Sequence, residues 1–86
     1  MDDVTFLSDP TQWPGEGPRR GCAVKNYKGA RSGDFPQMSG FGMLISENNQ
    51  IISEPITGNI IIFRDGYPPL QYESVQAMVA DGWMVD

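Results

Sequence analysis

The stretch from Gly40 to Phe63 carries isoleucines at adjacent positions, in the pair Ile51-Ile52 and in the run Ile60-Ile61-Ile62. Successive side chains of a strand point to opposite faces of a sheet, so each run places a large branched side chain on both faces. A chain of 86 residues buries only about 60–65% of the surface that its unfolded form exposes, so its core is thin. The fold therefore depends on what covers the second face of the sheet.

Residues 41–46 predict a strand, because large and small side chains alternate along them. One face of this strand carries Phe41, Met43 and Ile45, and the other carries Gly42, Leu44 and Ser46. The following Glu47-Asn48-Asn49 tolerates left-handed backbone and predicts a hairpin into a second extended segment at residues 50–54, which Pro55 ends. After a further turn, residues 60–64 predict the strongest strand.

Residues 1–38 are interrupted by glycine or proline at nearly every step, beginning with Asp9-Pro10 and ending with Pro36. Proline cannot stand inside a helix and glycine disfavours one, so this part of the chain predicts an irregular, extended arm without a useful helix. A weak alternation within it predicts one short strand at residues 22–27.

The C-terminal part predicts the only helix. Glu73 or Ser74 can cap its first turn, and its apolar face is formed by Val75, Met78 and Val79. Gly82 stands where a left-handed residue would end the helix. Trp83 and Met78 then occupy the two positions whose side chains meet in a Schellman ending.

Together these features predict an α+β fold in a single domain. Residues 39–86 form its β-rich core, a small antiparallel sheet of roughly three to four strands with one short C-terminal helix. Residues 1–38 form a long, irregular, Gly/Pro-rich arm that includes a basic loop at residues 19–31.

The second face of the sheet has two candidate covers. The favoured one is the N-terminal arm, lying across that face with Phe6, Trp13 and Phe35 as anchors. The alternative is another chain, identical or different, because an exposed apolar patch of more than a few hundred Å² usually marks a protein contact.

Positive charge is concentrated in the basic segment, which we define as Arg19–Arg31. It holds five of the six basic residues and no acidic one. The rest of the chain has one base, Arg64, against all 11 acids and so carries −10, within a net charge of −5. Such a segment is either a solvated loop that balances the acidic body or a docking surface for a protein partner with an acidic patch. It could also grip phosphates, but the acidic body would repel a nucleic acid.

The sequence contains no histidine, which removes the commonest general base at neutral pH and the commonest metal ligand. We therefore predict no catalytic residue, no metal site and no cofactor. The single cysteine, Cys22, excludes an internal disulfide and favours a cytoplasmic setting. Arg20 and Lys25 could activate its thiol, but a small buried hydrophobic side chain is the favoured interpretation.

The expected function is binding rather than catalysis. We predict an accessory or inhibitory factor, of the kind that phages and mobile elements encode, that docks on a larger protein such as a component of the nucleic-acid machinery. A nucleic-acid-associated factor and a structural subunit of a virion-like assembly are the alternatives. No membrane contact is expected, and homo-oligomers are left open. The predicted partner-binding residues are Arg19, Arg20, Lys25, Tyr27, Lys28, Arg31, Ile60 and Ile62.

Overall fold

The computed structural model describes residues 2–26 and 40–86. The helices are α1 (Asp3–Ser8), a short 3-10 helix (Pro10–Gln12) and α2 (Val75–Ala80). The strands are β1 (Arg19–Lys25), β2 (Phe41–Glu47), β3 (Gln50–Ile51), β4 (Ile60–Ile62), β5 (Leu70–Tyr72) and β6 (Met84–Val85). The fold is α+β, as predicted. Within these described ranges, no helix is long and apolar enough to cross a membrane.

An antiparallel sheet in the order β3-β2-β1-β6 forms the centre of the fold, and β4 and β5 make a second, two-stranded sheet. Phe63, just after β4, joins the two sheets because it pairs with Met43 of β2. The Met43 N–H donates to the Phe63 carbonyl at 2.8 Å, and the Phe63 N–H donates back at 2.9 Å.

The predicted hairpin between β2 and β3 is confirmed. Asn48 and Asn49 have φ values of 53° and 63°, and they connect the paired residues Glu47 and Gln50. Two consecutive left-handed residues match the twist of a tight hairpin. The predicted strand at residues 50–54 is divided between the two sheets, because Ser53 bridges to Ile60 rather than continuing along β2.

The basic segment begins as a strand and not as a loop. β1 pairs with β2 along its whole length, from Arg19 opposite Glu47 to Lys25 opposite Phe41. Backbone pairing does not depend on charge, and alternate positions of a half-exposed strand accept charged side chains. The strand predicted at residues 22–27 thus starts three residues earlier, and its predicted end lies outside the described residues.

The core lies on one face of the sheet, which we call the inner face. Its strand residues are Cys22, Val24, Leu44, Ile60 and Ile62, and the residues packed on them are Leu7, Trp13, Val75, Met78 and Trp83. Leu7 and Trp13 belong to the N-terminal arm. Helix α1 also contacts α2 directly. The prediction that the arm covers the second face is therefore wrong for Phe6 and Trp13, which pack with this core. Phe35 lies outside the described residues.

The helix α1 was not expected in the arm. Residues 3–8 contain neither glycine nor proline, and the Asp2 carboxylate caps them by accepting the Thr5 N–H at 2.8 Å. An aspartate at this position satisfies an N–H that has no partner within the helix. The first proline of the sequence is Pro10, so one short helix fits before it.

Arg20 links the N-terminal arm to the sheet by hydrogen bonds. Its position on β1 faces the core side, and its Nη1 donates to the Thr11 carbonyl at 2.9 Å and to the Trp13 carbonyl at 3.4 Å. The Trp13 indole donates in turn to the Phe6 carbonyl at 3.0 Å. These bonds hold the arm against the edge of the core and bury Trp13.

The C-terminal helix begins and ends as predicted. Ser74 caps α2 by accepting the Ala77 N–H at 3.0 Å. At the other end Gly82 has φ 103°, and the N–H groups of Gly82 and Trp83 donate to the carbonyls of Val79 and Met78. This bond pair is a Schellman ending. It returns the chain toward the sheet and buries Trp83.

Trp83→Ala should lower the free energy of unfolding by about 3–5 kcal/mol, the usual loss when a buried aromatic side chain leaves a cavity. Urea denaturation measures this loss. Met84→Ala is the matched control, since Met84 is the next residue and is exposed, and its effect should stay within about 0.5 kcal/mol. Equal midpoints for the two variants would show that Trp83 does not support the fold.

Candidate docking surface

The opposite side of β1 and β2, which we call the outer face, is apolar and open among the described residues. β2 places Phe41, Met43 and Ile45 there, and the β2 bridge places Phe63 beside Met43. Phe41 is 43% exposed, Met43 41% and Phe63 39%. Three large apolar side chains on one small surface form a patch of the kind that marks an interaction site.

These side chains line a groove of about 580 Å³. Its apolar lining is Phe41, Met43, Ile45 and Phe63, and its charged lining is Arg19, Arg64 and Asp65. A volume of this size lies in the range of ligand-binding clefts. We refer to it below as the groove.

Two glycines shape the groove. A Cβ on Gly21 would stand 3.1 Å from the Met43 sulfur, so the absence of a side chain there leaves room for Met43 to lie across β1. A Cβ on Gly42 would clash with the Ile62 side chain. Glycine at position 42 therefore lets β4 approach β2, which brings Phe63 to the outer face.

Among the described residues, the lining of the groove carries two arginines and one aspartate, whereas the chain as a whole has a net charge of −5. Arg64 is held in place, because its Nε donates to the Pro68 carbonyl at 2.9 Å and its guanidinium lies 5.4 Å from the centre of the Tyr67 ring. Arg19 is exposed at the start of β1.

The predicted partner-binding residues are distributed over several places. Arg19 lines the groove. Lys25 stands opposite Phe41 and forms an ion pair with Asp86 at 3.7 Å. Arg20 donates hydrogen bonds to two carbonyls of the N-terminal arm. Tyr27, Lys28 and Arg31 lie outside the described residues.

Ile60 and Ile62 are corrected, because both are buried in the core and neither offers an exposed surface. The run Ile60-Ile61-Ile62 predicts large side chains on both faces of β4, and Ile60 and Ile62 lie on the face that belongs to the core.

The residues that sequence reasoning missed are Phe41, Met43 and Phe63. The alternation at residues 41–46 had already placed the first two on one face. It did not show which face was the inner one, since both carry a large apolar side chain. The pairing with β1 shows which face is the inner one. Leu44 pairs with Cys22 and Gly42 with Val24, and Cys22, Val24 and Leu44 are all buried.

The surroundings of several ionisable groups among the described residues shift their pKa values. Cys22 is buried, and burial, with a further contribution from the Asp3 carboxylate, raises the pKa of its thiol. This confirms the interpretation of Cys22 as a buried hydrophobic side chain. The N–H of Thr5 lowers the pKa of Asp2, and the Thr11 hydroxyl lowers that of Asp9. Among the residues described, no three His, Cys, Asp or Glu side chains are grouped to hold a metal ion.

Tyr72 joins β5 to the C-terminal turn. Its hydroxyl donates to Asp81 Oδ2 at 2.6 Å and accepts from the Trp83 indole at 2.9 Å. Burial, together with the bond to the Asp81 carboxylate, raises the pKa of Tyr72 to about 12. The arrangement orients Trp83 and stabilises the fold.

Comparison of the chain with protein-family models, with curated proteins and with solved structures found no match.

The raised pKa of Tyr72 predicts a loss of stability in alkali. The contribution of the neutral phenol is fully present below about pH 10, the unfolded pKa of tyrosine, and is lost as the pH rises through the folded pKa of about 12. Urea midpoints of the wild type should therefore fall more steeply above pH 10 than those of Tyr72→Phe. Tyr67→Phe is the control and should keep the wild-type slope. Parallel curves for the wild type and Tyr72→Phe would contradict the assignment.

Proposed function

We propose that this chain is a non-enzymatic, cytoplasmic protein-binding factor, accessory or inhibitory, that docks on a larger protein through its outer face. The observation that carries the proposal is the exposure of Phe41, Met43 and Phe63 side by side. Aromatic and methionine side chains are enriched at protein interfaces. Their position around a groove gives a partner side chain a place to enter.

The apolar contacts by themselves support a weak complex. About two fifths of each of the three side chains is exposed, so covering them completely would contribute only about 2–4 kcal/mol before the costs of association. Arg19 and Arg64 supply the remaining specificity. A partner surface that combines apolar side chains with carboxylates fits this groove, and charge complementarity of this kind mainly accelerates association.

A binding role also fits the chemistry of the chain. Histidine is absent from the whole sequence, and the single cysteine is buried with a raised pKa. A cytoplasmic setting agrees with an unpaired thiol, which a reducing compartment preserves.

Single-stranded nucleic acid is a second candidate partner, favoured by a specific arrangement. The exposed rings of Phe41 and Phe63 share the outer face with Lys25 and lie near Arg19 and Arg64. Aromatic rings on a sheet flanked by cations are typical of surfaces on which bases stack. The net charge of −5 opposes a phosphate backbone, so we rank this candidate second.

Met43→Glu should abolish capture of the protein partner, because it places a carboxylate in the middle of the outer face. Gln76→Glu is the matched control, since it changes the net charge equally at an exposed position of α2. Affinity capture with the wild type and both variants, followed by mass spectrometry, identifies partners that only Met43→Glu loses. Their binding should also weaken as salt rises.

Two outcomes would contradict this ranking. If every captured protein is retained by Met43→Glu, the outer face is not the docking surface. If the wild type binds a labelled single-stranded oligonucleotide at physiological salt and the double variant Phe41→Ala/Phe63→Ala does not, the nucleic-acid candidate replaces the protein partner.

A further inference from the structure

Ile56 is the most exposed large apolar side chain among the described residues, at 92%. It stands in the loop of residues 54–59, which we call the Ile56 loop, between the bridged residues Ser53 and Ile60. Isolated apolar residues on a surface are common. This one is distinguished by the order of the loop that presents it.

Hydrogen bonds fix the Ile56 loop from within. Glu54 Oε2 accepts the N–H groups of Ile56 at 3.0 Å and Thr57 at 2.7 Å. The Gly58 N–H donates to the Glu54 carbonyl at 2.8 Å, and the Glu54 N–H donates to the Asn59 carbonyl at 2.8 Å. A backbone held in one conformation loses little conformational freedom on binding, so the loop is preorganised to present Ile56.

The Ile56 loop and the groove lie at opposite ends of β4. Asn59 of the loop immediately precedes this strand, and Phe63 of the groove immediately follows it. The three residues of β4 extend over roughly 10 Å. Ile56 is therefore not placed to fill the groove of its own molecule.

The Ile56 loop and the groove are complementary in charge, and both present apolar side chains. Glu54 is the only charged residue between Asn48 and Phe63, so the loop presents an apolar tip beside a single carboxylate. The groove presents an apolar lining with two arginines and one aspartate among the residues that the structure describes. Its volume of about 580 Å³ exceeds that of an isoleucine side chain and also admits the neighbouring Pro55.

We propose that the groove of one molecule receives the Ile56 loop of a second copy of this chain, head to tail. The inference rests on the proposed function in that both assign docking to the groove, but it names a different occupant. A head-to-tail contact leaves one free loop and one free groove at the ends of every open assembly, so it extends into filaments or closes into rings. The association and the larger protein then compete for the same groove.

Sedimentation velocity over rising concentration tests this contact, up to about 1 mM, where weak single-anchor contacts become populated. The wild type should show a sedimentation coefficient that increases with concentration. Ile56→Asp, which removes the anchor, and Met43→Glu, which blocks the groove, should each remain monomeric. Gln76→Glu should associate like the wild type. Circular dichroism checks that the variants fold, and both altered positions are exposed.

A mixture of the two inactive variants provides the decisive result. Ile56→Asp retains an intact groove and Met43→Glu retains an intact loop, so an equimolar mixture should form dimers and nothing larger. Mixtures that stay monomeric, or an Ile56→Asp protein that associates like the wild type through a symmetric contact, would overturn the proposal.

A wild type that remains monomeric throughout would also overturn the proposal without affecting the proposed function. The proposed function depends instead on affinity capture of a larger protein, which Met43→Glu should lose and Ile56→Asp should keep.

Discussion

Both helices pack against the same face of the β1–β2 pair, and this arrangement determines the rest of the molecule. Leu7 and Trp13 of the arm and Met78 and Trp83 of the C-terminal region share one core with the inward residues of the strands. A chain of 86 residues has few apolar side chains beyond those that its core requires. Because the described helices cover the inner face, the apolar side chains of the outer face are left exposed among the residues described.

Arg20 helps to determine which face of β1 packs against the N-terminal arm. It lies opposite Ser46 on the inner side, and its guanidinium reaches two carbonyls of the arm. Within the described part of the chain, Arg20 Nε and Ser46 Oγ are buried without a hydrogen-bond partner, which costs stability. A shift of the register by one residue would turn every side chain of β1 to the other face. The bonds from Arg20 to the arm exist only in the observed register, so they help to specify it.

Features set by adjacent residues could be predicted from the sequence. The hairpin at Asn48-Asn49 follows from the left-handed tolerance of asparagine, and the ending of α2 follows from Gly82 with Met78 and Trp83 at the required spacing. The α+β class follows from the same local signals. Each of these depends on backbone preferences within a few residues, which the sequence displays directly.

Features set by distant contacts could not be predicted. The inward orientation of Ile60 and Ile62 depends on which elements meet them, and the arm shares that core because Arg20 and Trp13 are held together by tertiary hydrogen bonds. The groove needs three separate segments, around Arg19, Phe41 and Phe63, to come together. No single segment carries that information, although the alternation of residues 41–46 supplied part of it.

Exposure of the methionine methyl groups to a soluble paramagnetic agent tests most directly whether the two faces differ. The structure places Met43 and Met84 at the surface and Met78 in the core, with exposed fractions of 41%, 36% and 0%. In dilute solution, the NMR signals of the Met43 and Met84 methyl groups should broaden strongly while that of Met78 stays sharp. A Met43 signal protected as well as that of Met78 would show that the outer face is covered and would contradict the account.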